Sequence, residues 1–166
     1  MAKIYLIRGH GTGSGACRDN LCERPIIDAV VTELAGFLRA AGHIVRDVAL
    51  ETSKHESLTE HLQAKTDVHI FNPDLSVEVH VNATTSTTPR GICGFYYSAD
   101  PKGKQLVEVL VSNICKYSGL PKHYISGVDS DWAGGRLGLH YISWPKKWPA
   151  VLVENGFLSN AEDRKL

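Results

Sequence analysis

The run Ala150-Val151-Leu152-Val153 stops at a carboxylate, Glu154, and Asn155-Gly156 follows directly. Four consecutive apolar residues suit a strand buried on both faces, the kind found in sheets covered by helices on each side. Asn-Gly is a turn signal, so the strand ends where the charge begins. A carboxylate at the end of a buried strand is costly unless it is paired, hydrogen-bonded or catalytic. In open α/β sheets the carboxyl ends of the strands also form the edge where ligands bind. A strand ending at a solvated glutamate accounts for this segment equally well. Two other strands, each ending in a histidine, separate the readings.

The first of these covers residues 3–8 and leads into the glycine-rich loop Gly9-His10-Gly11-Thr12-Gly13-Ser14-Gly15. A helix is expected over residues 24–41. Pro25 sits in its first turn, a stripe of Ile26, Ile27, Val30, Val31, Leu34, Phe37 and Leu38 faces inward, and Gly42 closes it. Residues 43–50 read as a strand, and Ser57-Leu58-Thr59-Glu60 as a capping box that opens a short helix. The strand at 75–81 places Val77, Val79 and Val81 on one face and Ser76, Glu78, His80 and Asn82 on the other. A strand at 92–97 precedes a helix at 101–115 with Leu106, Leu110 and Ile114 inward. Residues 118–135 read as irregular, 137–142 as a further strand, and 160–166 as the start of a last helix. Strands alternating with helical patterns predict one α/β domain over residues 1–166, a twisted, mostly parallel sheet flanked by helices on both faces.

Eighteen basic residues balance eighteen acidic ones with no long block of either sign, so the footprint of a nucleic-acid binder is missing. No apolar run approaches a membrane span, and no heptad or exposed apolar stripe calls for a partner subunit; a soluble monomer is expected. Cys93 and Cys115 sit in apolar settings and read as core residues, while Cys17 and Cys22 flank a polar loop and read as free thiols. Met1-Ala2-Lys3 runs straight into strand-like Ile4-Tyr5-Leu6-Ile7, without the apolar core or cleavage site of a signal peptide. Synthesis in the cytoplasm is the expectation.

In a parallel sheet His10, His80 and Glu154 come to one edge, and Glu23, at the entry to the first helix, returns to it by the right-handed crossover. Two imidazoles and one carboxylate form a set seen at catalytic zinc, and a second carboxylate nearby can serve as base for water. Each residue also has a plainer reading. A histidine near a strand end is commonly a hydrogen-bonded structural residue, and Glu23 suits a helix N-terminus by charge alone. The glycine loop resembles a phosphate cradle, but it lacks the Lys-Ser/Thr pair of a P-loop and the dinucleotide fingerprint. Glu78 is either a partner to a ligating histidine or a solvated strand residue. The cluster His55, Glu56, Glu60 and His61 does not place both imidazoles on one helical face.

Gly9-His10-Gly11, Glu23 before a long helix, His80-Val81-Asn82-Ala83, and Val153-Glu154-Asn155-Gly156-Phe157-Leu158-Ser159-Asn160 with Asp163 following resemble, in order and spacing, the zinc-dependent N-acetylmuramoyl-L-alanine amidases of the type 3 family. The last block is the most specific. The resemblance implies that His10, Glu23 and His80 hold zinc and that Glu154 is the catalytic carboxylate. It implies peptidoglycan as substrate, cut at the amide joining muramic acid to the first alanine of the stem peptide. Asn82 is then placed to hydrogen-bond substrate, or is a structural amide, and Trp132 offers a stacking face. With no export signal, the reading extends to an endolysin that acts on the cell wall after release. Two features depart from the family pattern: Glu78 stands where the family often has serine, and the family usually continues through a longer C-terminal helix. A zinc carboxypeptidase-like peptidase, and a non-catalytic wall- or nucleotide-binding domain built on the glycine loop, are the rival readings.

Overall fold

A computed structural model describes residues 1–11, 15–50, 67–129, 142 and 146–165. Six strands form one sheet: β1 (Lys3–Gly11), β4 (Ile44–Leu50), β5 (Leu75–Asn82), β6 (Ile92–Tyr97), β7 (Lys122–Val128) and β8 (Ala150–Phe157). Their spatial order is β4-β1-β5-β8-β6-β7. Every neighbouring pair is parallel except β8 and β6. The carboxyl ends of β1, β5 and β8 therefore share one edge, and the antiparallel β6 brings its first residues to that edge as well. The chain leaves β1 through helix α1 (Glu23–Ala40) to β4 on one side, then returns to β5 on the other. The order reverses at β1, so the edge beside it is a topological switch point, the usual ligand site of such sheets.

Helices α1 and α2 (Pro101–Ser118) pack on one sheet face. Ile27, Val31 and Ala35 of α1 and Val107 and Val111 of α2 are wholly buried against Leu6, Val79 and Val153. Each such branched side chain contributes roughly 1.5–3 kcal/mol by leaving water. The expected stripes are displaced by about a residue: Val30 and Phe37 are exposed, while Leu106, Leu110 and Ile114 only flank the core. The displacement in α2 follows from Gly94, where a Cβ would lie 2.4 Å from Val107 and 2.9 Å from Val111. The other face is covered by helical residues 67–71 together with Ile142 and Trp148, packed on Tyr5, Ile7 and Leu152.

The helix ends follow their sequence signals. Gly42, with φ +86, closes a Schellman motif in which its N–H donates to the Arg39 carbonyl and that of His43 to Leu38. Asp100 caps α2 by accepting from the Lys102 N–H.

Other expectations change. Residues 122–128, read as irregular, form edge strand β7, and the final helix is a single 3-10 turn, Asp163–Lys165. Cys17 and Cys22 are disulfide-bonded, not free. Asp19 and Asn20 both have positive φ, giving a two-residue hairpin turn that pairs β2 (Cys17–Arg18) with β3 (Leu21–Cys22) and sets the cysteines opposite each other. The capping box at 57–60, the cluster from His55 to His61, Trp132, and residues 137–141 of the expected strand lie outside the described residues.

Candidate metal centre and active site

His10 stands at the end of β1, where the register against β4 slips between Arg8 and Gly11 and the backbone turns left-handed, with φ 62. A non-glycine residue rarely adopts that conformation. Here Arg24 holds it, donating from Nη1 to the His10 carbonyl at 2.7 Å while its Nε is fixed by Asp28 at 2.9 Å. The conformation aims the ring at the first residue of α1. His10 Nε2 lies 3.0 Å from Glu23 Oε2, which also accepts from the Ala16 N–H at 3.1 Å.

Glu23 joins the two histidines. Its Oε1 accepts from the Val81 N–H at 2.9 Å and lies 3.1 Å from Nδ1 of His80. Opposing burial, the hydrogen bonds and charges of His10 and His80 hold the Glu23 carboxyl at about 2. The His80 ring packs flat over Gly9, where a Cβ would come within 2.4 Å of it, and its centroid is 4.7 Å from that of His10, edge to face. Burial disfavours a charged His80, but Glu23 and Glu78 outweigh it and raise its pKa well above the usual value.

Glu154 faces His80 across the β5–β8 ladder and Cys93 across β8–β6. Beyond this row β8 bulges by one residue: Asn82 pairs with Phe157, so Asn155 and Gly156 together oppose Val81, with Gly156 at φ 91. Bulges next to active sites re-aim side chains. Asn155 secures this one by donating from Nδ2 to the His80 carbonyl at 3.1 Å. Glu154 Oε2 is sequestered from solvent without a hydrogen-bond partner among the described residues. Burial, reinforced by the nearby charge of Glu23 against the opposing pull of His80, lifts the Glu154 carboxyl to about 7.

His10, Glu23 and Glu154 line a pocket of about 270 Å³ with Gly15, Ala16, Val81, Asn82 and Ala83. The ligand atoms of His10, Glu23 and His80 lie within 4.8 Å of one another. Two imidazoles and a carboxylate at that spacing, in a pocket also lined by Glu154, whose buried Oε2 has no partner among the described residues, fit a divalent cation by charge and donor type. Asn82 borders the pocket, with Nδ2 3.9 Å from Cys93 Sγ. Cys93, read from sequence as plain core, is a neighbour of Glu154; burial first and the Glu154 charge second push its thiol up to about 12. It is a protonated thiol at neutral pH. Arg24 and Asn155, which hold His10 and the β8 bulge, adjoin Glu23 and Glu154 in sequence; there they read as a helix opener and a turn residue, not as braces.

The model of the N-acetylmuramoyl-L-alanine amidase family matches residues 4–166. The amidase LytC of Bacillus subtilis is 26% identical over 164 residues, covering 96% of this chain but 30% of LytC. Among solved structures, the CwlD amidase of Clostridioides difficile, determined in complex with the GerS lipoprotein, superposes with a TM-score of 0.81 at 21% identity, over 99% of this chain and 87% of that one. The catalytic domain of the CD27L endolysin, which targets the same organism, gives 0.73 at 24% identity, over 99% and 87%. These likenesses agree on the fold, the family match runs through all four blocks that build the pocket, and the chain therefore belongs to the N-acetylmuramoyl-L-alanine amidases, hydrolases of peptidoglycan.

Proposed function

We propose that the chain is a zinc amidase in which His10, Glu23 and His80 hold the metal and Glu154 is the general base. The supporting observation is the convergence of those three ligand atoms within 4.8 Å, with Glu154, whose buried Oε2 has no partner among the described residues, lining the same pocket. Zinc, when bound, lowers the pKa of water toward neutrality and polarises the substrate carbonyl. Glu154 takes the proton from the attacking water and delivers it to the departing amine of alanine, cleaving the lactyl amide of muramic acid. A carboxyl lifted toward neutrality suits both halves of that transfer. Glu23, which accepts backbone N–H bonds from Ala16 and Val81, stays ionised and remains a ligand throughout. Asn82, on the pocket wall, is placed to hydrogen-bond the stem peptide.

The test is zinc content and amide cleavage measured on one purified sample. One zinc per chain, with release of alanine amino groups from cell wall, supports the proposal; activity that survives complete zinc removal contradicts it. A carboxypeptidase-like peptidase needs an arginine for a terminal carboxylate, and among the described residues none lines the pocket. A purely binding domain would need no metal.

The proposal extends to biological role: a monomer that lyses the host wall after release from the cytoplasm. The likeness to an endolysin catalytic domain supports the lytic role, and the Cys17–Cys22 disulfide suits action outside the reducing cytoplasm. Cells expressing the chain should lyse only once their membrane is permeabilised. Lysis without permeabilisation, or a stable dimer by light scattering, counts against this extension.

A further inference from the structure

Glu78 is a buried carboxylate that the mechanism does not use. Glu78 is 2% exposed, on the strand face that carries His80. In register it stands between Ile7 of β1 and Leu152 of β8, both wholly buried apolar residues. No arginine or lysine is paired with it among the described residues. Its Oε1 lies 3.1 Å from His80 Nε2, and its Oε2 is sequestered without a partner among the described residues. A buried charge is costly unless paired, so this placement calls for a compensating cation.

We infer that Glu78 is a positioning residue for the metal centre: it accepts a hydrogen bond from Nε2–H of His80, fixing the tautomer that leaves Nδ1 free toward Glu23 and the pocket. The His80 ring has a carboxylate at each nitrogen, Glu23 at Nδ1 and Glu78 at Nε2. The two are not equivalent. Glu23 also meets His10 and the pocket, whereas among the described residues Glu78 bonds the back of the ring alone. With the proton held at Nε2, Nδ1 presents a lone pair on the pocket side. The carboxylate behind the ring raises the basicity of that lone pair and locks the ring plane. Carboxylate–histidine–metal relays act in this way, and losing the outer carboxylate typically weakens metal binding by about 10–100-fold. A purely structural Glu78 would stabilise the metal-free fold and leave metal affinity unchanged.

This inference rests on His80 being a zinc ligand, so the experiment separates the two claims. Zinc affinity is measured by competition with a chromophoric chelator for the unaltered chain, His80→Ala, Glu78→Ala, Glu78→Ser and Glu78→Gln. Thermal unfolding of each metal-free form is followed in parallel. Glu78→Ala and Glu78→Ser should bind zinc about 10–100-fold more weakly. Glu78→Gln keeps an acceptor oxygen at the same reach and should fall between them and the unaltered chain. The imidazole nitrogen resonances of zinc-loaded protein should show His80 protonated at Nε2, and that signal should shift in Glu78→Gln. If the smaller side chains unfold the protein, the isosteric glutamine carries the test through affinity and resonance alone. Zinc affinities within twofold of the unaltered chain in every Glu78 variant, with His80→Ala abolishing binding, overturn the role of Glu78 and leave the metal site standing. An unaltered chain that binds no zinc, or His80→Ala that retains it, overturns the proposed site and this inference with it.

Discussion

Glu23 and Glu154 line one pocket, yet their surroundings are opposite. Glu23 has four partners: His10 and the Ala16 N–H on one oxygen, His80 and the Val81 N–H on the other. Glu154 has a sequestered oxygen with none among the described residues. Burial pushes both carboxyls up, but only Glu23 has the donors to reverse it, and the pair separates to about 2 and about 7. Two carboxylates driven apart by environment mark a division between a permanently ionised group and one that trades protons. The backbone makes the difference. Helix α1 starts at Glu23 and points it at two N–H groups, whereas Glu154 stands at the last paired row before the β8 bulge, its Oε2 buried without a partner among the described residues.

The largest expected effect comes from neutralising the satisfied carboxylate. Glu23→Gln loses a charge and places an amide NH₂ against imidazole nitrogens, so metal and activity should vanish together, read as zinc per chain and as amine release. Retained zinc would move the ligand role elsewhere and collapse the contrast.

The next effect is on pH. Glu154 must be ionised to take a proton, so kcat/KM should fall about tenfold per unit below its pKa. That limb lies between the ordinary 4.5 and the metal-free value of about 7, because a cation alongside lowers it. The metal-free protein shows the same shift as stability. A carboxyl raised on folding stabilises fully below 4.5 and loses that contribution as pH rises through about 7, whereas Glu23 loses its contribution as pH falls through about 2. Glu154→Gln should flatten the upper part of the melting-temperature profile, and an unchanged profile would count against the raised pKa.

Smaller effects sharpen the geometry around Glu23. Gly9→Ala forces a methyl into the buried His80 ring, which should cost about 1–3 kcal/mol by chemical denaturation. Arg24→Ala removes the charged donor holding the His10 carbonyl, at about 1.5–3 kcal/mol or less where water replaces it. Both should weaken zinc binding, and neither should shift the acid limb set by Glu154.

Much of this pocket was legible in the sequence because strand ends carry their own markers. The alternating strand that carries His80 and the apolar run that stops at Glu154 placed both on the sheet edge, and Pro25 with Gly42 bracketed α1 closely enough to bring Glu23 there. What escaped depends on register and turns. Cys93 becomes a neighbour of Glu154 only through the antiparallel β6–β8 pairing, which no local pattern encodes. Strand β7 is mostly exposed, so Lys122-His123-Tyr124 lacks the apolar alternation that announces a strand. The disulfide follows from positive φ at Asp19 and Asn20, a turn preference weaker in sequence than Asn-Gly. The polar face of β5 left Glu78 open between a histidine partner and a solvated residue, since alternation alone does not say whether the second face is covered.

The division of labour between the two carboxylates is tested most directly by Glu154→Gln, with zinc content and turnover measured on the same sample. The isosteric amide fills the site but cannot accept a proton from water. Zinc should remain at one per chain, and amide cleavage should drop by roughly 10²–10⁴-fold, mainly in kcat. Near-normal turnover with zinc bound would contradict the account, and loss of zinc would make Glu154 a ligand alongside Glu23.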